Sequence, residues 1–459
     1  MMRGVVCVLL ILLVFPVPSV NAAPQATAPQ AVASLPVASL PAVPLPAVKL
    51  KLSDEQLMDV VQRQTFKYFW DYAHPVSGLI REQNTFPERC AIGGTGFGVL
   101  AVMVGVKRGY ITRDEGARQL LKLTRFLRDR VPRYHGAWAH WVNGDTGKTL
   151  DFGDIDNGGD IVETAFLVQG LLTARQAFAG TDAVESELRA IITKLWEEVE
   201  WDWYARGGDQ VYWHWSPTHE WGKNHQVRGG NECMIVYLLG AASPTHALPA
   251  SAYANSWTHQ DYSKRMQLRW PTDLGGPLFF THYSFVAMTP HFADSYTATS
   301  PYASYFERSR EQTLLNRRFC VSRKDVYPDY SENCWGLTAS RDPDAKFGYD
   351  VHLPFAKKDN GTIAPTAAIS SIVYTPVESL AAMRHFYEVY GPQGLWGEYG
   401  FKDAFNPGKK WISTHYLAID QGPILVMIEN YRSQLLWKCF MRDPDVCRMV
   451  TKLNLKLTR

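Results

Sequence analysis

The chain has 459 residues, 46% of them hydrophobic and 13% aromatic, and its 47 Lys and Arg nearly balance 45 Asp and Glu, leaving a formal net charge of +2. Near-neutrality without a basic run excludes nucleic acid or an anionic membrane surface as an electrostatic partner. The apolar content is ample for a large core, and a neutral partner fits best.

Met1 to Ala23 carries Arg3, an apolar run from Val5 to Phe15 and a tail of small residues, the pattern of a secretory signal peptide. That run is shorter than the roughly 20 residues a spanning helix needs, so the expected product is a soluble protein, periplasmic or secreted. Residues 24–50 are a Pro/Ala-rich spacer that reads as extended and polyproline-like. With no second linker beyond it, residues 51–459 are expected to form one domain, with nothing that calls for more than a monomer.

The folded region reads as helix after helix. Ser53-Asp54-Glu55-Gln56 is a capping box, followed by Leu57, Val60, Val61, Tyr68 and Phe69 at helical spacing. Thr112-Arg113-Asp114-Glu115 is a second box that opens a helix carrying Leu120, Leu121, Leu123 and Leu127. Asp151 to Leu172 begins as an acidic Gly-rich loop and runs into an apolar helix starting near Gly158 or Gly159. Ala183–Trp201, Asn231–Ala242, Pro376–Tyr390 (with Thr375 as cap) and Gly422–Phe440 complete the helical set. Strand signals are confined to Gln210–Trp215 and a local pairing at Gly276–Phe285. The fold class is all-α, and an (α/α)6 toroid with long aromatic and Gly-rich loops meets the pattern; a solenoid lacks a sequence period.

Carboxylates collect at helix entrances. Asp156, Asp160 and Glu163 crowd one, with Asp156 expected to cap or precede the first turn and Asp160 and Glu163 on one face. Close carboxylates push their pKa values apart, so that one stays protonated beside an ionised neighbour. Glu232 follows Arg228-Gly229-Gly230-Asn231 and precedes an apolar turn, which raises a carboxyl toward the range of a general acid. Asp420 stands before Gly422-Pro423 at a third entrance. Each is equally explained as a first-turn helix acid, and Asp154, Asp156 and Asp160 also fit a loose calcium loop. Against calcium, Ala165 occupies the position where an EF-hand needs a bidentate Glu.

Between Trp201 and Arg228 lie Trp203, Tyr204, Tyr212, Trp213, Trp215 and Trp221, with His214, His219 and His225 among them. Flat rings beside polar groups suit sugar rings, although about half of these rings belong in the core on general grounds. The histidines lack zinc-ligand spacing, and no nucleophile elbow, phosphate loop or dinucleotide fingerprint occurs. No metal and no cofactor is expected. The candidates for substrate contact are Trp213, Trp215, His225, Arg228, Asn231, Trp335 and Tyr399. Of the six cysteines beyond the leader, Cys439 with Cys447 and Cys320 with Cys334 are close enough in sequence to pair. Cys233 reads as a small buried hydrophobe.

Ordered motifs then narrow the reading: Gly159-Asp160-Ile161-Val162-Glu163-Thr164, Asn231-Glu232-Cys233-Met234, Gly275-Gly276-Pro277-Leu278, Asn333-Cys334-Trp335-Gly336, Asp359-Asn360-Gly361-Thr362 and Ala418-Ile419-Asp420-Gln421. From about residue 53 to 445 the chain resembles the glucoamylase-like family, which includes the bacterial β-1,2-glucanases of glycoside hydrolase family 144. The resemblance implies an (α/α)6 toroid and cofactor-free, inverting hydrolysis of β-1,2-glucan. It places the family's acids on Asp156, Asp160, Glu163, Glu232 and Asp420. An inverting enzyme separates its acid and base by roughly 6.5 to 9.5 Å, which favours Glu232 as acid and a carboxylate from another helix as base, Asp160 first and Asp420 second. Endo action on glucan is the leading expectation. The alternatives are exo release of a disaccharide, a glucan-binding protein with a dead site, and an envelope-tethered protein using the Pro-rich stretch as a stalk.

Overall fold

The computed structural model describes residues 51–228, 230–258, 274–356 and 359–458. The expected signal peptide and Pro/Ala-rich spacer lie outside these residues. Helix α1 (Asp54–Trp70) starts where the first capping box stands: Ser53 Oγ accepts from Gln56 N–H at 3.2 Å and Gln56 Oε1 accepts from Ser53 N–H at 2.9 Å. Helix α3 (Arg113–Asp129) repeats the device with Thr112 and Glu115. Each cap contributes about 1 kcal/mol by satisfying amides that the first turn leaves without partners.

Helix α2 (Ile92–Lys107) is the centre of the packing and is buried along almost its whole length. It lies against α4 (Ile161–Ala177) on one side and α11 (Ala418–Ser433) on another, while α3 packs on α5 (Ala183–Glu197) and α1 on α11. Glycines set these distances. A Cβ on Gly96 would lie 2.1 Å from the Phe166 carbonyl oxygen, and one on Gly170 would lie 2.4 Å from the Gly96 oxygen, so the backbones of α2 and α4 touch. Gly422 does the same for α11, where a Cβ would meet the Phe97 Cβ at 2.5 Å. The remaining helices used below are α6 (Trp201–Tyr204), α7 (Met234–Ala242), α8 (Tyr305–Ser322), α9 (Pro365–Ile369), α10 (Pro376–His385), α12 (Leu435–Phe440) and α13 (Pro444–Lys452).

Strands are two or three residues long and serve the loops. β1 (Arg89–Ala91), β2 (Trp141–Asn143) and β3 (Thr149–Leu150) form an antiparallel sheet, and β4 (Gly159–Asp160) pairs with β5 (His214–Trp215), Asp160 opposite His214. That short pair ties the acidic entrance of α4 to the aromatic loop. The local pairing expected at 276–285 is not formed. Pro277, without an N–H, opens a 3-10 turn at Leu278–Thr281, and Thr281 Oγ1 donates to the Leu278 carbonyl at 2.8 Å.

Other boundaries shift for identifiable reasons. Helix α4 begins two residues after Gly159 because Asp160, and not Asp156, is its N-cap. Thr375 is the N-cap residue of α10, with Pro376 following as expected, but its hydroxyl makes no cap bond and meets the Ser371 carbonyl and the Ser379 hydroxyl instead. The expected Gly422–Phe440 helix starts earlier, at Ala418, and breaks at Gln434, whose φ of 58° is left-handed. All six cysteines among the described residues are free thiols. Cys439 is buried on α12, whereas Cys447 is exposed on α13 and its Sγ donates to the Met441 carbonyl at 3.4 Å; Cys320 and Cys334 are both buried without a bridge.

Candidate active site

A cavity of about 470 Å³ opens where α2, α4, α7 and α11 begin. Glu163 and Glu232 line it, with aromatic rings from Trp141, Phe152, Trp213 and Tyr283. Arg89, Arg341 and His140 bring cationic groups to the same wall.

Asp160 fixes this arrangement from behind. Its Oδ1 accepts from the N–H groups of Val162 and Glu163, each at 2.9 Å, and its Oδ2 accepts from His140 Nδ1 at 3.0 Å and Trp213 Nε1 at 2.9 Å. Four donors occupy the carboxylate. Burial would raise its pKa, but the His140 bond and charge outweigh burial and hold it below the usual range. Burial alone would lower the His140 pKa; the Glu163 charge, followed by the Asp160 bond and charge, instead raises it to about 9. The imidazole therefore stands as a cation at neutral pH.

Glu163 is one helical turn beyond the cap, and its Oε2 accepts from the Gly93 N–H at 2.7 Å. Gly93 must be glycine for this approach, since a Cβ there would lie 2.6 Å from that oxygen. Burial raises the Glu163 pKa to about 7, with His140 and the Gly93 amide pulling it down and Asp160 pushing it up. Two features favour its charged form: a helix N-terminal amide and a nearby cation.

Glu232 sits just before α7, anchored by the Ser284 hydroxyl, which donates to its carbonyl. The carboxyl is 4% exposed and its Oε2 has no hydrogen-bond partner within the chain. Burial pushes its pKa to about 7 against the pull of its own backbone amide and the Cys233 thiol, and the charges of Glu163 and Asp160 add to the rise. An uncompensated buried oxygen favours the protonated form.

Asp420 lies in the first turn of α11, directly after Leu417 and Ile419, which line the cavity, though it does not line the cavity itself. Its carboxyl faces the Asp403 carboxyl and the Tyr283 hydroxyl, and its Oδ2 has no hydrogen-bond partner within the chain. Burial, and then the Asp403 charge, raise its pKa far above the ordinary carboxyl range, so this pair holds a proton. One oxygen of Asp403 accepts from Arg341 N–H at 2.6 Å. Asp156 is farther out, paired with Lys223 and 3.3 Å from His214 Nε2, and it does not line the cavity.

Of the candidate substrate contacts, Trp213 alone is on the cavity wall. His225 packs edge-on to Trp213 with centroids 5.5 Å apart, and Trp215 packs against His135 and Trp203. Arg228 donates to Gln226 and Gln210, and Asn231 Oδ1 accepts from the Cys233 N–H at 3.0 Å. Trp335 and Tyr399 need correction as cavity residues: Trp335 is fully buried in the core around α8–α10, and Tyr399 packs among Tyr68, Tyr72 and Tyr416. Sequence reasoning missed His140, Gly93, Asp403 and Arg341. His140 had a usable signal, since Trp138-Ala139-His140-Trp141 has the same aromatic–histidine mixture as 213–215. Among the described residues one group has cation-binding proximity, His74, Glu88 and Asp145, outside the cavity; His74 Nε2 is within hydrogen-bond distance of Glu88 Oε2, at 3.1 Å.

Comparison with known proteins identifies relatives along most of the chain. Residues 224–444 match the family model described as "Putative glucoamylase". The chain is 42% identical over 433 residues to the exo β-1,2-glucooligosaccharide sophorohydrolase (non-reducing end) of Parabacteroides distasonis, covering 88% of this chain and 58% of that protein. It therefore spans little more than half the length of that curated relative. The endo-β-1,2-glucanase of Chitinophaga pinensis, solved with sophorotriose and glucose, superposes with a TM-score of 0.81 at 43% identity, over 88% of this chain and 99% of that one. A "putative glucoamylase" of Bacteroides uniformis ATCC 8492 superposes with a TM-score of 0.82 at 47% identity, over 89% of this chain and 99% of that one. Because 43% and 47% identity extend across 99% of two solved chains and not merely across the acidic motifs, the chain belongs to the glucoamylase-like family.

Proposed function

We propose that this protein is a glycoside hydrolase that cleaves β-1,2-glucan, acting within the chain and inverting the anomeric carbon. The observation that carries the reading is the meeting of Glu163 and Glu232, two buried carboxyls from separate helix entrances, on the wall of one aromatic cavity. Endo action is placed first because the chain spans 99% of the endo-acting relative and 58% of the exo-acting one. Release of a disaccharide from one end is the second reading, favoured by the name of that curated relative.

In this mechanism Glu232, protonated, gives its proton to the leaving glycosidic oxygen as the C–O bond breaks. Glu163, ionised beside Gly93 and the His140 cation, takes a proton from the water that attacks from the opposite face. Asp160 holds His140 and Trp213 in place; with four donors on its oxygens it is a poor proton acceptor, so the base role passes to Glu163. Asp420, with Asp403, supports the far wall through Tyr283, and Asp156 supports the loop through Lys223. No cofactor takes part. The paired packing of α2 with α4 and α3 with α5 supports an (α/α)6 toroid, and the leader-like sequence of residues 1–23 supports export to the periplasm or medium.

The test is size separation of early products from long linear β-1,2-glucan. A spread of oligosaccharide lengths is expected; a single disaccharide from the start would select exo action, and no product at all would overturn the β-1,2-glucan reading.

A further inference from the structure

A second aromatic surface lies outside the catalytic cavity. The ring of Trp203, from α6, is 39% exposed, and its inner face stacks on His135 with centroids 3.7 Å apart and planes 16° from parallel. His135 is itself held by Glu200 at 2.9 Å. The Trp221 ring lies beside Trp203, centroids 6.1 Å apart and inclined by 34°, and the Arg206 guanidinium lies 4.9 Å from the Trp221 centroid. These rings open on a hollow of about 530 Å³ whose rim carries Glu200, Asp202, Arg206 and His246. It shares no lining residue with the catalytic cavity.

Two inclined indoles present an apolar face, while carboxylates, a guanidinium and an imidazole around them offer acceptors and donors. The rim carries two carboxylates against one guanidinium, too small a net charge to hold a strongly charged ligand. A neutral ring with a C–H face and peripheral hydroxyls matches all of these features. Strand β5 connects the two places: Trp213, one residue before it, lines the catalytic cavity, and Trp215 at its end touches Trp203 edge-on at 6.2 Å.

We propose that Trp203 and Trp221 form an accessory binding site for glucose units of a β-glucan chain, separate from the catalytic cavity and used by substrates long enough to reach both. The identity of the glucan rests on the β-1,2-glucanase reading above; the site's chemistry, a neutral hexose chain, does not.

The experiment compares electrophoretic retardation of full-length Glu232→Gln and of Glu232→Gln combined with Trp203→Ala in gels containing linear β-1,2-glucan, with a β-1,3-glucan gel in parallel. Trp203→Ala and Trp203→Phe in the active enzyme are assayed on a β-1,2-linked pentasaccharide and on long glucan. The expected result is about tenfold weaker retardation for the Ala variant, a raised KM on long glucan, unchanged kcat/KM on the pentasaccharide, and partial recovery with Phe. Equal retardation of the two proteins in both gels would overturn the site. So would loss of pentasaccharide turnover in Trp203→Ala, which would assign Trp203 to the catalytic cavity. Retardation by β-1,3-glucan alone, lost in Trp203→Ala, would keep the site and overturn the β-1,2 reading. Pentasaccharide hydrolysis with no retardation in either gel would keep the activity and reject the site.

Discussion

At the scale of single residues, the site works because two carboxyls of similar burial have different neighbours. Glu163 has an amide and a cation beside it; Glu232 has its own backbone amide and the Cys233 thiol, and its Oε2 is left without a partner. The Glu163 charge raises the Glu232 pKa, so Glu163→Gln is expected to lower it. In a single-turnover titration, or by carboxyl shift in isotope-edited NMR, the Glu232 midpoint should move to lower pH; an unchanged midpoint would separate the two groups. Removing the His140 cation has the opposite sign for Glu163: His140→Gln should raise the Glu163 pKa and move the acidic limb of the rate profile to higher pH. The acids at 160, 163 and 232 were legible in the sequence because each follows a Gly-rich loop into an apolar helix. Their partners were not. His140 is brought in by β2, and Gly93 is recognisable only when the Glu163 oxygen is seen where its side chain would be.

At the scale of elements, capped amphipathic helices were readable, and so were the buried helices α4, α7 and α11, each entered from an acidic or Gly-rich loop; the buried helix α2 was not. Helices α1 and α3 have both a capping box and a polar face, so their starts fall where Ser53 and Thr112 predict. Helix α2 has neither: it is apolar on all sides, has no side-chain cap and carries glycines at 93, 94, 96, 98 and 105, a composition that ordinarily argues against helix. Those glycines follow from packing against α4 and α11. Gly170→Ala should cost about 3 kcal/mol or more, because the new methyl would press on the Gly96 carbonyl with no side chain free to yield. Denaturant unfolding checks it; a loss below about 1 kcal/mol would mean that the α2–α4 contact is looser than described.

For the whole molecule, the site's electrostatics set how stability varies with pH. Glu232 has a folded pKa of about 7 against an ordinary 4.5. Its folded state holds the proton more tightly, so the associated stability is present below pH 4.5 and lost as pH rises through 7. His140, raised from 6.5 to about 9, adds stability present below 6.5 and lost through 9. The melting temperature should therefore fall from pH 6 to pH 9. Glu232→Gln, which removes the buried charge, should gain up to about 3 kcal/mol on wild type at pH 8 and little at pH 4.5; an equal gain at both pH values would contradict the assignment. Helix dominance was legible from spacing and caps, whereas the cross-chain meeting of the entrances of α2, α4, α7 and α11 was not, since it depends on packing between segments hundreds of residues apart.

The central claim, that Glu232 and Glu163 form the acid and base of a β-1,2-glucan hydrolase, is tested most directly by initial reducing-end release from linear β-1,2-glucan by wild type, Glu232→Gln and Glu163→Gln. The account predicts release by the wild type and a loss of about 10³-fold in each variant, with folding intact by circular dichroism. Wild-type rates in either variant would remove that residue from the chemistry, and no release by the wild type would contradict the account as a whole.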